Sequence, residues 1–365
     1  MRPHPSRVSV ATLMAAVGLL AGIAAAHASA MSVTADVGSV TARADVFPRA
    51  SVVFPDGVIA FPDVEYANLN GFRPLLLDLY RPAAGAGGRP HPLVIYVHGG
   101  GWRHGDSRTT GAFTNFPRVL ASLAARGYVV ASIDYRLTGE ARYPAAVRDV
   151  NSAIAYLRSR ASQWGIDPRR IVLWGASAGG YLVAMSATTC HDPRFAPPLS
   201  TGRMSRRQAA AASASRVSDC AQAVVSWYGL FDLRPLAAGT AGNPPITAVV
   251  RSFLGCPAGS CLEPARRASP INGVSPRMPP MLLMAGTADG EVPCEQTLAM
   301  AAALRRVHAR VQMHLIRGAG HGWIAHDPAV TRSASLEALR RTFEFIDQVT
   351  THPDGGVTNR PGGRP

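Results

Sequence analysis

Short apolar runs alternate along this chain with segments whose apolar residues recur every three or four positions. The runs are rich in Val, Ile and Leu, as in "PLVIYVHGG", and are typical of strands buried on both faces. In the segment 143–166 the spacing is helical instead, and it is carried by Ala146, Val150, Ala153, Ile154 and Leu157. Strands that alternate with helices predict an α/β fold: a mostly parallel central sheet with helices on both faces.

The same pattern predicts the order of the main elements. Strands are expected within the segments 73–82, 93–97, 129–134, 170–174, 221–229, 279–289 and 311–321, and the last two segments extend beyond their strands. Helices are expected at 116–126, 143–166, 178–190 and 295–309. The region 230–279 interrupts this rhythm with Pro and Gly. It is either a small cap over the sheet or an irregular crossover, and the sequence leaves both open.

The two ends of the chain read differently from its middle. Arg2 and Arg7 precede an apolar run at 8–26, which ends in small residues spaced as signal-peptidase sites are. This pattern predicts a signal peptide over 1–30, cleaved after Ala28 or Ala30, and a secreted or periplasmic protein. An uncleaved membrane anchor is the alternative, because the run is about long enough to span a bilayer. No later stretch could span a membrane, so stable insertion is not expected once the signal is cleaved.

We expect an N-terminal arm or linker over 31–58, one domain over 59–349 and a disordered tail over 350–365.

Five cysteines agree with an exported chain. Proximity along the sequence favours two disulfides, Cys190–Cys220 and Cys256–Cys261, as expected in an oxidising compartment. Cys294 is left over, as a buried filler or as a free thiol near the active site. No Cys/His cluster has the spacing of metal ligands, so no metal site is predicted.

Composition and charge limit the choice of partners. The chain is 47% hydrophobic and 16% charged, which suits a soluble globular protein, and its formal charge is +14. The basic residues are all arginines and are scattered rather than clustered among aromatics, so nucleic-acid binding is not predicted. Weak attraction to acidic polysaccharides remains open, and the sequence does not indicate an oligomeric state.

Reactive residues follow four of the predicted strands, at the edge where α/β proteins bind ligands. Ser177 lies in "GASAG", a G-x-S-x-G turn from strand to helix, and Asp289 and His321 follow two later strands. The three stand in the order expected of a nucleophile, its acid and its base in this architecture. Glu291 and Glu295 are rivals for the acid, but Asp289 comes first after its strand.

Each residue type meets a chemical need. A serine hydroxyl needs a base such as His321 to take its proton, and Asp289 would orient the imidazole and stabilise its cation. The backbone N–H groups of Gly100, Gly101 and Ala178 form a candidate oxyanion hole. His98, before the glycines, is interpreted as a brace for the loop.

Three aromatic residues lie near these positions in the sequence. Trp102, Tyr181 and Trp323 could line a pocket for an aromatic or sugar group, or they could be packing residues; both interpretations stay open.

The motifs "HGGGW", "GASAGG", "GTAD" and "GAGHGW" resemble those of the α/β-hydrolase superfamily, and are most similar to its hormone-sensitive-lipase-like and bacterial feruloyl/acetylxylan-esterase-like branches. The resemblance covers residues 72–349. It implies the triad Ser177, Asp289 and His321 and the oxyanion loop after His98. Two features depart from the pattern, the long insert between Cys190 and Cys220 and the small residues Gly290 and Cys294. They bear on the shape of the pocket.

The predicted function is therefore a secreted serine esterase without metal or cofactor. It would act through an acyl-enzyme on short-chain, acetyl or feruloyl esters, either as small molecules or linked to polysaccharides. An amidase, such as a formamidase of the kynurenine type, is the alternative. A hydrolase fold that only binds its ligand is a third hypothesis, but such proteins typically lack a member of the triad.

Overall fold

The computed structural model describes residues 50–83, 89–198 and 217–351. The predicted signal peptide, most of the predicted arm and residues 352–365 of the predicted tail lie outside these ranges. Residues 350 and 351, which we assigned to the tail, are the last two of a helix. Among the described residues, no helix is long and apolar enough to cross a membrane.

One sheet of nine strands forms the centre of the described structure. In chain order the strands are β1 Val52–Val53, β2 Ile59–Ala67, β3 Leu75–Arg81, β4 His91–Val97, β5 Val129–Ile133, β6 Ile166–Ala176, β7 Ala223–Trp227, β8 Met281–Gly286 and β9 Val311–Ile316. Their order across the sheet is β1-β2-β3-β5-β4-β6-β7-β8-β9. The six strands from β5 to β9 in that order run parallel, and the first three pair antiparallel. The prediction of a mostly parallel sheet is confirmed.

Nine α-helices lie in the described ranges. They are α1 Phe116–Ala125, α2 Ala145–Ser159, α3 Ala161–Trp164, α4 Ala178–Thr188, α5 Leu233–Ala238, α6 Pro244–Leu254, α7 Leu262–Arg267, α8 Glu295–Arg306 and α9 Pro328–Thr351. The region 230–279 contains α5, α6 and α7, so it is more regular than its sequence suggested.

Helices cover both faces of the sheet. Along β4 the side chains alternate between two buried clusters, with Leu93 and Ile95 in one and Val94 and Tyr96 in the other. The first cluster includes residues of α2, α4 and α8, and the second includes residues of α1 and α9. Because both faces are covered, the central parallel strands β4, β5, β7 and β8 are mainly apolar runs. Ligands of such sheets bind at the carboxyl ends of the strands.

Candidate active site

Ser177 stands at the sharp turn between β6 and α4. Its backbone has φ 55° and ψ −118°, a conformation that L-residues rarely adopt. Small neighbours make the turn sterically feasible. A Cβ on Gly175 would overlap the carbonyl oxygen of Gly179, and a Cβ on Gly179 would overlap that of Val97. The serine is thus presented at the carboxyl edge of the sheet, as the G-x-S-x-G pattern predicts.

Hydrogen bonds link Ser177, His321 and Asp289 in series. Ser177 Oγ lies 2.8 Å from His321 Nε2, and His321 Nδ1 lies 2.8 Å from Asp289 Oδ2. The Asp289 carboxylate is buried, and its Oδ1 accepts bonds of 2.9 Å from the N–H groups of Glu291 and Val292. The geometry therefore favours Asp289 as the acid, since Glu291 contributes only its backbone.

The loops after β8 and β9 are joined to each other, which sets the position of the imidazole. The N–H of Ala288 donates to Ala319 O at 2.9 Å, and the N–H of Gly318 donates to Thr287 Oγ1 at 2.9 Å. These bonds place the carboxylate and the imidazole together although 31 residues separate them along the chain.

The glycine loop after β4 packs directly against the serine. A Cβ on Gly99 would lie 3.2 Å from Ser177 Cβ, and Gly100 and Gly101 have φ of 99° and 59°. Within the described ranges, the N–H groups of Gly100, Gly101 and Ala178 are paired with no acceptor. Free N–H groups beside a nucleophile are what an oxyanion hole requires.

His98 lies beneath this loop. Its ring stacks on Tyr135 with 4.3 Å between centroids, and the Tyr135 hydroxyl donates to the carbonyls of His98 and Gly99. Burial lowers the pKa of His98 to about 4, so the imidazole is neutral at pH 7 and its Nδ1–H donates to Gly99 O at 2.7 Å. These contacts agree with the interpretation of His98 as a brace.

The serine opens into a cleft of about 920 Å³. It is lined by Gly99, Gly100, Gly101, Arg103, His104, Gly105, Thr109, Thr110, Gly111, Phe113, Ala176, Ser177, Tyr228, Asn243, Pro245, Ile246, Val249, Glu291, His321 and Gly322.

Helix α6 forms one wall of the cleft. The Asn243 side chain accepts the Ile246 N–H and so caps the start of the helix, while its Nδ2 donates to Gly290 O at 3.1 Å. Val249 lies on the following turn, with Cγ1 3.1 Å from where a Cβ on Gly101 would stand. This part of the region 230–279 therefore bounds the space above the oxyanion loop.

The hypothesis that Trp102, Tyr181 and Trp323 line the pocket is wrong. All three are completely buried and none reaches the cleft. Trp102 stacks on Phe253 at 4.1 Å, the Tyr181 hydroxyl donates to Ala268 O, and Trp323 packs edge-on against Trp227. Their side chains pack in the core, as the other interpretation, that of packing residues, expects.

Sequence reasoning missed Tyr228, directly after β7. Its ring centroid lies 4.7 Å from that of His321, and its hydroxyl interacts with Thr110. Burial raises the pKa of Tyr228, so the phenol stays protonated. Its backbone φ of 37° places it, like Ser177, in a region that disfavours side chains. The available signal was its position, because β7 is a further strand that ends at the reactive edge.

Both predicted disulfides, Cys190–Cys220 and Cys256–Cys261, are formed. A ring nitrogen of His191 and the two sulfurs of the first pair lie within 4.8 Å of one another, a spacing that metal ligands can have. The sulfurs are joined in a disulfide, however, and a metal ligand must be a thiolate. Cys294 is free and partly buried, and burial raises the pKa of its thiol.

The strand order, the serine turn and the acid and base after later strands define an α/β-hydrolase. The BD-FAE family model matches residues 77–304, well over half of the chain. The chain belongs to the BD-FAE family.

Known relatives extend this likeness. Esterase LipC of Mycobacterium tuberculosis is 34% identical over 249 residues, which are 67% of this chain and 56% of LipC. The chain thus spans little more than half the length of this curated relative. Among solved structures, a truncated carbohydrate esterase from gut microbiota superposes with a TM-score of 0.63 at 23% identity, covering 82% of this chain and 99% of the other. Butyrate-bound Est2 of Thermogutta terrifontis superposes with a TM-score of 0.61 at 23% identity, covering 82% and 96%.

Proposed function

We propose that this protein is a secreted serine carboxylic-ester hydrolase that cleaves short-chain esters through an acyl-enzyme. The observation that carries the proposal is the series of two 2.8 Å contacts from Ser177 through His321 to Asp289. In this arrangement the imidazole can take the hydroxyl proton at Nε2 while the carboxylate stabilises the cation at Nδ1.

The reaction proceeds in two halves. Ser177 Oγ attacks the ester carbonyl as His321 takes its proton, and the N–H groups of Gly100, Gly101 and Ala178 bind the oxyanion. The intermediate then collapses, and the alcohol leaves with the proton from His321. A water molecule, deprotonated by the same imidazole, attacks the acyl-enzyme, and the acid is released from the restored serine.

The cleft and the relatives support a choice of substrate class. A volume of about 920 Å³ is within the range of small-molecule sites and accommodates an acetyl or feruloyl group together with part of its alcohol. The solved neighbours include a carbohydrate esterase and an esterase bound to butyrate. We therefore propose acetyl, feruloyl or other short-chain esters, including those attached to polysaccharides.

Secretion is part of the proposal. It is supported by the sequence of residues 1–30 and by the two disulfides, which form and persist in oxidising compartments.

The test is hydrolysis of p-nitrophenyl esters, from acetate to palmitate, by the exported protein and by its Ser177→Ala variant. We expect the highest kcat/KM on acetate or butyrate, and at least a thousandfold loss of kcat in the variant. Ser122→Ala, at an exposed serine on α1, is the matched control and should retain full activity. Equal activity of Ser177→Ala would remove the serine from the mechanism. A wild type that is inert on every ester but cleaves formamides would favour the amidase instead.

A further inference from the structure

The loop that follows the oxyanion glycines carries two arginines with different surroundings. Arg108 is held by carboxylates, with Nε 2.7 Å from Asp78 Oδ2 and an Nη 2.9 Å from Asp63 Oδ1. Arg103 lines the cleft instead, and its guanidinium makes no ion pair or hydrogen bond with any residue in the described ranges. The first arginine secures the loop, whereas the charge of the second is available to a ligand.

Nearby acids are not placed to neutralise Arg103. Asp106, in the same loop, accepts the Arg108 N–H at 2.8 Å and the Thr109 hydroxyl at 3.2 Å. Glu291 also lines the cleft, but within the described part of the chain it forms no ion pair with Arg103. The cleft thus presents a cation and an anion that are not paired with each other.

The backbone of Arg103 is firmly positioned beside the oxyanion loop. The N–H groups of Arg103 and His104 donate to Gly100 O at 3.0 and 3.2 Å, which closes a tight turn. Trp102, the residue before, is buried against Phe253. His104 Nδ1 lies 2.9 Å from where a Cβ on Gly100 would stand, so the His104 ring also lies beside this glycine. The exposed side chain of Arg103 lines the cleft.

We propose that Arg103, with His104 beside it, makes this cleft selective for esters that carry an anionic group, such as a carboxylate, in their acyl or alcohol part. The inference rests on the proposed function and adds a substrate class to it. A guanidinium binds a carboxylate through two parallel hydrogen bonds, and because Arg103 is exposed, solvent and salt reduce the attraction. Glu291 also lines the cleft and repels an anion, so an anionic group is expected to bind on the Arg103 side, away from Glu291.

Two matched ester pairs test the proposal. p-Nitrophenyl hydrogen succinate against p-nitrophenyl butyrate places a carboxylate on the acyl part, and 4-acetoxybenzoate against its methyl ester places it on the alcohol part. The readout is the ratio of kcat/KM for the anionic ester to kcat/KM for the neutral one. For one of the two pairs we expect Arg103→Gln to lower this ratio about fivefold, as for an ion pair in partly exposed surroundings. Raising the salt concentration should lower the wild-type ratio through screening.

Controls separate charge from structure. Arg118→Gln, at an exposed arginine on α1 outside the cleft lining, should keep the wild-type ratio. Arg103→Lys should restore part of it, because the charge returns without the planar donors. If both pairs give the same ratios in wild type and Arg103→Gln while the neutral esters are still hydrolysed, the anion preference is overturned and the esterase stands. If no ester of either pair is hydrolysed, the proposed function fails as well.

Discussion

The turn at Ser177 requires glycine at two positions, because a Cβ there would overlap neighbouring backbone atoms. Gly175 and Gly179 flank Ser177 at two positions on either side, and each lies against a carbonyl oxygen. The spacing of small residues in "GASAG" indicated the turn, and the acid and base after later strands strengthened that prediction. The contact of Gly175 is within the turn, but that of Gly179 is with β4, which the motif alone does not show.

Gly179→Ala should disrupt the turn. The new Cβ would overlap the carbonyl oxygens of Val97 and His98, so β4 and α4 could no longer pack at their present distance. We expect a loss of about 3 kcal/mol or more in the free energy of unfolding, together with loss of esterase activity. Gly139→Ala is the control, since nothing lies within 4 Å of its Cβ position. Urea unfolding measures both, and equal midpoints for the two variants would contradict the steric account.

His98 should make the fold sensitive to acid. Its pKa is lowered from 6.5 to about 4 by burial, so between these values the unfolded chain binds a proton that the folded chain excludes. Stability is therefore lost as the pH falls from about 6.5 toward 4, with about 2 kcal/mol of this loss between pH 7 and pH 5.

Urea unfolding of wild type and His98→Gln at pH 7 and pH 5 isolates this contribution from that of other groups. The variant should be less stable at pH 7 but should lose about 2 kcal/mol less on acidification. His326→Gln, at an exposed histidine, should keep the wild-type dependence. The same pH dependence in His98→Gln and wild type would mean that His98 does not contribute.

At the scale of elements, the sequence predicted the parallel strands well and the outer elements poorly. The strands β4, β5, β7 and β8 are mainly apolar runs because both faces are buried, and such runs are easy to recognise. We missed β2, whose pairing with β3 shifts register twice, so its alternation of polar and apolar residues is interrupted. We also missed α9, since several of its buried residues are small or polar, including Ser335, Thr342 and Thr350.

The same distinction applies to the site. Ser177, Asp289 and His321 come directly after strands, so their meeting follows from the shared edge of a parallel sheet. The direction of a bulky side chain does not follow from that rule. Trp102 lies two residues from Gly100, yet its side chain is buried in the core. It lies within the tight turn that Gly100 O closes, and this turn directs the side chain away from the cleft. Which aromatics line a cleft depends on loop conformation, and the motifs do not encode it.

A buried ion pair fixes α2 against the end of β5. The Asp149 carboxylate is completely buried and accepts bonds from the backbone N–H and the guanidinium of Arg136. Asp149→Asn would leave the guanidinium buried without its counter-charge, so we expect a loss of about 3–5 kcal/mol in the free energy of unfolding. Glu344→Gln, which breaks the exposed pair with Arg340 on α9, should cost less than about 0.5 kcal/mol. Chemical denaturation of both variants is the measurement, and similar costs would contradict the importance of burial.

For the whole molecule, compartment and covalent structure are linked. Four of the five cysteines are paired, and the pair Cys190–Cys220 closes a loop of 30 residues that includes the insert. In a chain-entropy account such a closure contributes about 3–4 kcal/mol, and the short loop between Cys256 and Cys261 contributes less. A chain kept in a reducing cytosol would lose both contributions, which supports the proposal of export.

Expression in a bacterium with and without residues 1–30 tests this link. The exported form should begin at Ser29 or Met31 by intact mass, since cleavage is predicted after Ala28 or Ala30. Under denaturing conditions it should show one titratable thiol, Cys294, whereas the form kept in the cytosol should show five. It should also unfold at a higher urea concentration, because two closed loops restrict its unfolded chain. An exported protein that retains Met1 would favour the membrane anchor, and five free thiols after export would contradict the oxidised structure.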